Sequence, residues 1–532
     1  MKKLQKILIL LVFVLLMTAC SKKDDNDDDD RKKKPQEKVE QEAETEVESE
    51  DAEQFYKIDK KRYKAYVVVL KGIIDDNKWP DGQQVLPDGQ YRGNNQFAIF
   101  DVDMDGEEEL LVNITDAPTA GMVMQIFEYD AKKDEVVLGE GFYPAVEFFD
   151  NGIVKQYSSH NHTSSEVWPY TVSKYNPEKK SYEVVGSMYA EDKEIAGASF
   201  ASNKDADNDG RIYYVSSKDL VDKALTEKEY QEWDAAFIGD ANELYIPWQQ
   251  TWDTNVQTIE TVLAKEGAVL PIPLGYNINI LNYDVTGDGE KDDIFITCDN
   301  SESYYEGDMI GSDWVIEING EKAHDFEWNG GIKLIVELYQ VSDKRQYLSV
   351  LESYEANGDR SSFALYQIVD GKLEEVCDFH KNIVKSINAF HYGSKITYMT
   401  PDEILVRAHN QFNATAFLEF DMKYNYVNDE WKSEGNEYTI CYDQDYLNKK
   451  DGMKANQSFV VYTDKDCKTE AFKVEKGDEV KFHSVFIKDG KTIFKVTNED
   501  GEEGWLPDAE ESYKEIDGGY LEGYFEESMF AG

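Results

Sequence analysis

Along most of the chain, apolar and polar positions alternate with a period of two, in runs of four to ten residues closed by Gly, Asn, Asp or Pro. Such runs predict half-buried β-strands. In the first half they fall at Met122–Tyr129, Glu135–Gly139, Ala145–Phe149, Ile153–Tyr157 and Ile212–Val215, with a hairpin Tyr170–Tyr175/Ser181–Gly186 turning at Asn176-Pro177. In the second half they fall at Trp314–Ile318, Ile332–Tyr339, Tyr347–Ser353, Ser362–Val369, Ile396–Met399, Ile404–Ala408 and Ala416–Tyr424. A last group comprises Phe459–Tyr462, Glu479–Ile487 and Thr492–Thr497. A helical period replaces this pattern in three places. Phe55–Lys78 carries Phe55, Ile58, Tyr63, Tyr66, Val67, Leu70, Ile73 and Ile74 on one face and stops at Trp79-Pro80-Asp81-Gly82. Thr226 and Glu229 form a capping box that predicts a helix over Glu227–Phe237, and a further helix is expected over Asn255–Lys265. The fold class is therefore mainly β, with a few helices in the first domain. The β domains are expected to be propeller-like or sandwich-like, followed by a small β-barrel.

With 532 residues, about three domains are expected. Breaks in the pattern place them at 54–266, 267–450 and 455–510, followed by an acidic tail at 511–532. Glu266-Gly267 and Pro271-Ile272-Pro273 mark the first boundary.

Between two of the expected strands, Phe97–Val112 reads FAIFDVDMDGEEELLV. Asp101, Asp103, Asp105 and Glu109 stand at positions 1, 3, 5 and 9 of a loop with Gly106 at position 6, and Glu107 lies between them. Hard cations need several oxygen ligands at once, and this spacing supplies them around a sharp turn. The second half repeats the pattern at Asp284, Thr286, Asp288, Gly289, Glu290 and Asp292. Thr286 replaces a carboxylate by a hydroxyl there. A third copy, Asp205, Asp207, Asp209 and Gly210, has Tyr213 at position 9; a weak cation site and an Asp/Gly-rich turn are equal readings of it. Because the flanks are strands, the loops resemble the calcium loops of FG-GAP/VCBS-type repeats more than an EF-hand, and Val112 stands where an EF-hand has its last Glu. The resemblance implies calcium as the bound ion and an extracellular adhesion or binding module.

Composition narrows the partners. A net charge of −51 spread along the chain disfavours nucleic acid and anionic surfaces, which need Lys/Arg patches. Aromatic residues make up 13%, mostly Tyr, which suits cross-strand pairs in β cores and also sugar-binding surfaces.

Met1–Cys20 has a basic start (Lys2, Lys3, Lys6), an apolar stretch Ile7–Leu16 and small residues before Cys20. Met17-Thr18-Ala19-Cys20 resembles a bacterial lipobox. The resemblance implies cleavage before Cys20, lipidation of its thiol, and an extracytoplasmic protein anchored to the cell membrane. An ordinary signal peptide or an uncleaved anchor is the alternative. Residues 21–53 are charged and poor in aromatics, and read as a disordered tether.

The stretch Ala455–Asp508, with Gly477-Asp478 before a strand and Gly504-Trp505-Leu506-Pro507 at its end, resembles a bacterial SH3-like barrel. That implies binding of peptide or cell-wall material, with Trp505 as a ligand contact or a plain core residue. His160 and His162 could share a ligand, but capping of a strand end is the simpler reading. Cys298, Cys377, Cys441 and Cys467 lack C-x-x-C spacing, and export permits three disulfide pairings.

No G-x-S-x-G, H-E-x-x-H or phosphate-cradling Gly loop occurs. The expectation is a non-enzymatic, calcium-stabilised, membrane-anchored protein that binds cell wall, glycan or a protein ligand. The alternatives are an envelope polysaccharide hydrolase with accessory β domains and a purely architectural lipoprotein.

Overall fold

A computed structural model describes residues 53–86, 94–249, 252–303, 309–326, 333–353, 362–379, 394–441, 452–509, 513–516 and 519–526. The chain divides into Met1–Ala52 and Glu53–Gly532. Cys20 and residues 21–52 of the tether lie outside the described residues, as does part of the tail.

The protein is mainly β, as its alternation predicts. Its strands form antiparallel sheets in which most sequence neighbours pair, because short turns return most strands beside the last. The first sheet runs Gln96–Phe100, Glu109–Ile114, Val123–Asp130 and Glu135–Phe142. The second has six strands from Val146–Phe148 to Leu220–Leu225. A third (Asn279–Ile280 to Glu321–Phe326) and a fourth (Ile272–Pro273 with Lys333–Gln340 to Lys372–Asp378) follow.

The sheets stack face to face, sandwich-like, and two of them are buried on both sides. On the fourth sheet, Leu334, Val336, Leu338, Leu348 and Val350 pack against the third sheet. The alternate residues Tyr339, Tyr347, Leu351, Phe363 and Leu365 pack against the strands that follow. The first sheet has the same two-sided burial. Phe97, Leu110, Val112 and Phe127 meet the helices α1 (Lys60–Asp76) and α3 (Trp252–Ala264). Ala98, Leu111, Met124 and Ile126 meet Phe148 and Val154 of the second sheet. The period of two sends successive side chains to opposite faces, so a strand with apolar residues at every position fits only between two layers.

Helix α1 starts later than its periodicity suggests. Asp59 caps it by accepting hydrogen bonds from the Lys61 and Arg62 amides. Residues 53–58 instead form a non-helical arm, with Phe55 bridging to Ser342. The helix ends at Asn77, which takes the left-handed conformation (φ 54°). Helix α2 (Glu227–Ile238) carries the expected Thr226/Glu229 capping box and covers one face of the second sheet.

The expected small barrel is not closed. Glu437–Cys441 pairs with both Ala416–Val427 and Glu479–Lys488, so the strands of 395–441 and 453–507 share one eleven-stranded sheet. Gly504 permits the close approach of Glu503–Pro507 to Phe459–Tyr462: a Cβ there would lie 2.9 Å from the Tyr462 carbonyl and 2.5 Å from Val461 Cγ1.

Asp192, 5% exposed, ties the long strand Ser181–Asp192 to its surroundings. It accepts hydrogen bonds from Ser164 Oγ (3.0 Å), the Ser165 amide (2.7 Å) and Arg211 Nε (2.6 Å). Burial opposes its charge, but Arg211 and the two serines overcome burial and hold the carboxyl down at about 2. Asp192→Ala is expected to cost about 2 kcal/mol in chemical denaturation. The folded carboxyl titrates below its ordinary 3.8, so this stabilisation is full above that value and is lost as pH falls towards about 2.

Candidate metal centre

The three Asp/Gly loops share one local geometry. In each, the position-1 carboxylate accepts the position-6 glycine amide: Asp101 from Gly106 (3.0 Å), Asp205 from Gly210 (3.2 Å) and Asp284 from Gly289 (2.8 Å). The position-5 carboxylate accepts the position-7 amide: Asp105 from Glu107 (2.9 Å), Asp209 from Arg211 (2.7 Å) and Asp288 from Glu290 (2.8 Å). The glycine has φ between 86° and 91° in all three, which a side chain rarely adopts. These contacts span at most five residues, so sequence spacing suffices to make them.

The loops differ in what burial does to their acids. In the first, Asp101, Asp103 and Glu109 each offer an oxygen within 4.8 Å of the others. Asp103 is 8% and Glu109 5% exposed. Glu109 Oε2 accepts the Val102 amide (3.0 Å), and Tyr175 hydrogen-bonds Asp103. The nearby cations stop short of this trio: Arg62 pairs with Glu107 (2.8 Å), and Lys180 lies 3.9 Å from Asp105. Glu107 is thus paired with helix α1 and is not part of the convergent trio, although it lines the same cleft. Burial first, then the neighbouring acids, push Asp103 up to about 6 and Glu109 up to about 9, and burial also raises Asp101. Buried like charges without a counter-cation are costly. A hard divalent cation on these oxygen donors would remove that cost, so the residues present could hold such an ion.

In the second loop, Asp292 is equally buried (3% exposed), but its oxygens are already engaged. It accepts the Val285 amide (2.7 Å), the Thr286 amide (2.9 Å), Thr286 Oγ1 (3.3 Å) and Asn319 Nδ2 (2.7 Å). Among the described residues, Asp284, Asp288 and Asp292 do not form a convergent acidic trio. The third loop does bring Asp205, Asp207 and Asp209 together, although Tyr213 faces the core and stacks on Tyr230 at 4.6 Å. Asp292→Ala is expected to cost about 2 kcal/mol whether or not calcium is present, because it strips four donors of their acceptor. Asp288→Ala should cost well under 1 kcal/mol in chelator. Denaturation of both variants with and without calcium checks this.

The first loop separates two hollows. Asp103, Asp105 and Glu109 face a cleft of about 900 Å³ with Glu128, Tyr175 and Tyr182. Asp101 and Glu108 line a cavity of about 470 Å³ with Arg62, Tyr63 and Tyr283. Both volumes suit a small-molecule ligand. Helix α1 holds the loop through Arg62 and through Tyr66, whose hydroxyl donates to the Glu108 carbonyl (2.9 Å). Arg62, Tyr66, Tyr175 and Lys180 belong to the site's frame, and no local signal marks them. They come from a helix and a hairpin that only folding brings to the loop.

The other candidates stand as follows. His160 and His162 stack at 5.5 Å, and His160 Nδ1 lies 2.9 Å from Ser159 Oγ, but no third metal-binding side chain joins them among the described residues. Cys377, Cys441 and Cys467 are thiols, not disulfides. Trp505 is part-buried, and Lys465 Nζ lies over its ring at 4.4 Å. No described helix is long and apolar enough to cross a membrane. Comparison with protein-family models and with curated proteins returns no match to this chain.

Proposed function

We propose that the chain is an exported, lipid-anchored binding protein of a bacterial envelope, with calcium at the Asp101–Glu109 loop stabilising its fold. The observation that carries this reading is the trio of Asp101, Asp103 and Glu109, partly buried or buried, convergent and out of reach of any described lysine or arginine. Calcium supplies the missing positive charge and fixes the turn between the first two strands of the first sheet. Met17-Thr18-Ala19-Cys20 supports the anchor, and the strand-flanked loops support kinship with FG-GAP/VCBS-type modules. The cleft beside the loop, rimmed by Tyr175 and Tyr182, supports a binding role towards cell-wall or glycan material.

The test is retention of the full chain on purified cell wall and on glycan arrays, in calcium and in chelator. Retention in calcium that chelator and Asp103→Ala both abolish is the expected result. Absence of retention in either buffer sinks the binding role. Turnover of cell-wall polysaccharide by the wild type would replace it with a hydrolase.

A further inference from the structure

Lys465 sits in the turn between the strands Phe459–Tyr462 and Glu470–Val474. Its ammonium is held between two aromatic faces: Nζ is 4.3 Å from the Phe486 ring centroid and 4.4 Å from that of Trp505. The third wall is a carboxylate, with Glu437 Oε2 2.7 Å from Nζ. Glu437 is itself oriented, because Ser484 Oγ donates to its other oxygen (2.8 Å). Phe486, Trp505 and Glu437 stand on three different strands of the eleven-stranded sheet, so the slot is built on a rigid frame while its occupant hangs on a turn. The Lys465 side chain remains 36% exposed, so the slot opens to solvent.

Two ring faces and a fixed carboxylate are the composition that recognises an ammonium ion, by attraction to the ring quadrupoles and by a charge-assisted hydrogen bond. We propose that Phe486, Trp505 and Glu437 form a binding slot for the primary ammonium of a lysine-type side chain on a peptide ligand. Lys465 is the chain's own occupant, and it leaves when the ligand docks. This goes beyond the binding cleft proposed above and rests on the geometry of these three residues. It does not rest on calcium. A tethered lysine acts at an effective concentration in the millimolar range, so an outside amine competes poorly until Lys465 is removed or drawn away. The ligand therefore engages in two steps, with partial contact first and exchange of ammonium groups second.

The probe is Nα-acetyl-lysine amide, titrated into the full chain in chelator and again in calcium. The readout is the indole N–H resonance of Trp505, assigned by its loss in Trp505→Phe. Lys465→Ser is expected to show a saturable shift, with half-saturation at a probe concentration at least about fivefold below that of the wild type. The Nε-acetylated probe, which lacks the charge, should produce no shift. Adding Glu437→Gln to Lys465→Ser should weaken binding several-fold. Lys465→Gln, which keeps the stem and loses the charge, serves if the serine variant unfolds. A folded Lys465→Ser or Lys465→Gln without a saturable shift overturns the proposal, as does an equal shift from the acetylated probe. Slot binding that persists in chelator while cell-wall retention fails would separate this inference from the calcium reading.

Discussion

Calcium is expected to raise the thermal unfolding midpoint of the wild-type protein, and Glu109→Gln to remove the rise while stabilising the protein in chelator. The two effects have opposite signs because the same buried acid is a cost without the ion, where it must take up a proton or bear a crowded charge, and a ligand with it. A ligand that binds only the folded state contributes about 2.7 kcal/mol at a hundredfold excess over its dissociation constant. In chelator, Glu109 is crowded by Asp103 and Asp101 in a buried site, and glutamine keeps its shape and its acceptor for the Val102 amide while removing the charge. A gain of about 1–2 kcal/mol at pH 8 is expected for Glu109→Gln in chelator.

The pH dependence follows the same logic. The folded Glu109 carboxyl sits near 9 against an ordinary 4.5, so across that window the folded state holds a proton that the unfolded state has released. Stability in chelator therefore falls as pH rises from about 4.5 towards 9, and Asp103 adds to the fall between 3.8 and about 6. Calcium should flatten this slope, since it displaces the proton. Scanning calorimetry from pH 3.5 to 9, with calcium and with chelator, measures all of these effects. A wild-type midpoint indifferent to calcium at every pH removes the metal from the loop.

Arg345→Ala is expected to cost about 3 kcal/mol and to release the N-terminal arm. Arg345 is 9% exposed and joins three separate segments. Its guanidinium donates to Glu53 (2.6 Å) and to the Pro401 carbonyl (2.8 Å), and lies over Phe55 and Tyr426 at 5.4 and 4.8 Å. Beside it the arm pairs with the 341–345 turn, the Tyr56 amide donating to the Val341 carbonyl (3.1 Å) and the Asp343 amide to the Gln54 carbonyl (3.0 Å). That turn also supports the second loop, since a Cβ on Gly287 would lie 2.9 Å from the Asp343 carbonyl. Lysine is not a substitute, because it cannot stack as a plane and reach two acceptors together. Hydrogen exchange at Tyr56 and Asp343 should accelerate together in Arg345→Ala. Unchanged protection at both amides would show that the backbone pairing holds the arm without the arginine.

The sequence determined what is local. Alternation placed the strands, and short Gly/Asn/Asp turns dictated that neighbours pair, since a chain that reverses within a few residues lies beside the strand it left. The loop bonds of Asp101, Asp205 and Asp284 were legible for the same reason, as both partners lie within five residues. Tertiary structure decided everything that needs a distant partner. Glu109 and Asp292 hold the same loop position and are both buried, yet Asn319 and Thr286 engage Asp292 whereas Glu109 is crowded by Asp103 and Asp101. The capping of α1 by Asp59 left Phe55 free to join Arg345, far along the chain. The module that ends in Trp505 continues the preceding sheet through Glu437–Cys441, and the face of Trp505 is covered by a lysine from another turn. Burial and charge compensation are sums over everything a fold brings within a few ångströms, and spacing along one strand of chain carries no record of that sum.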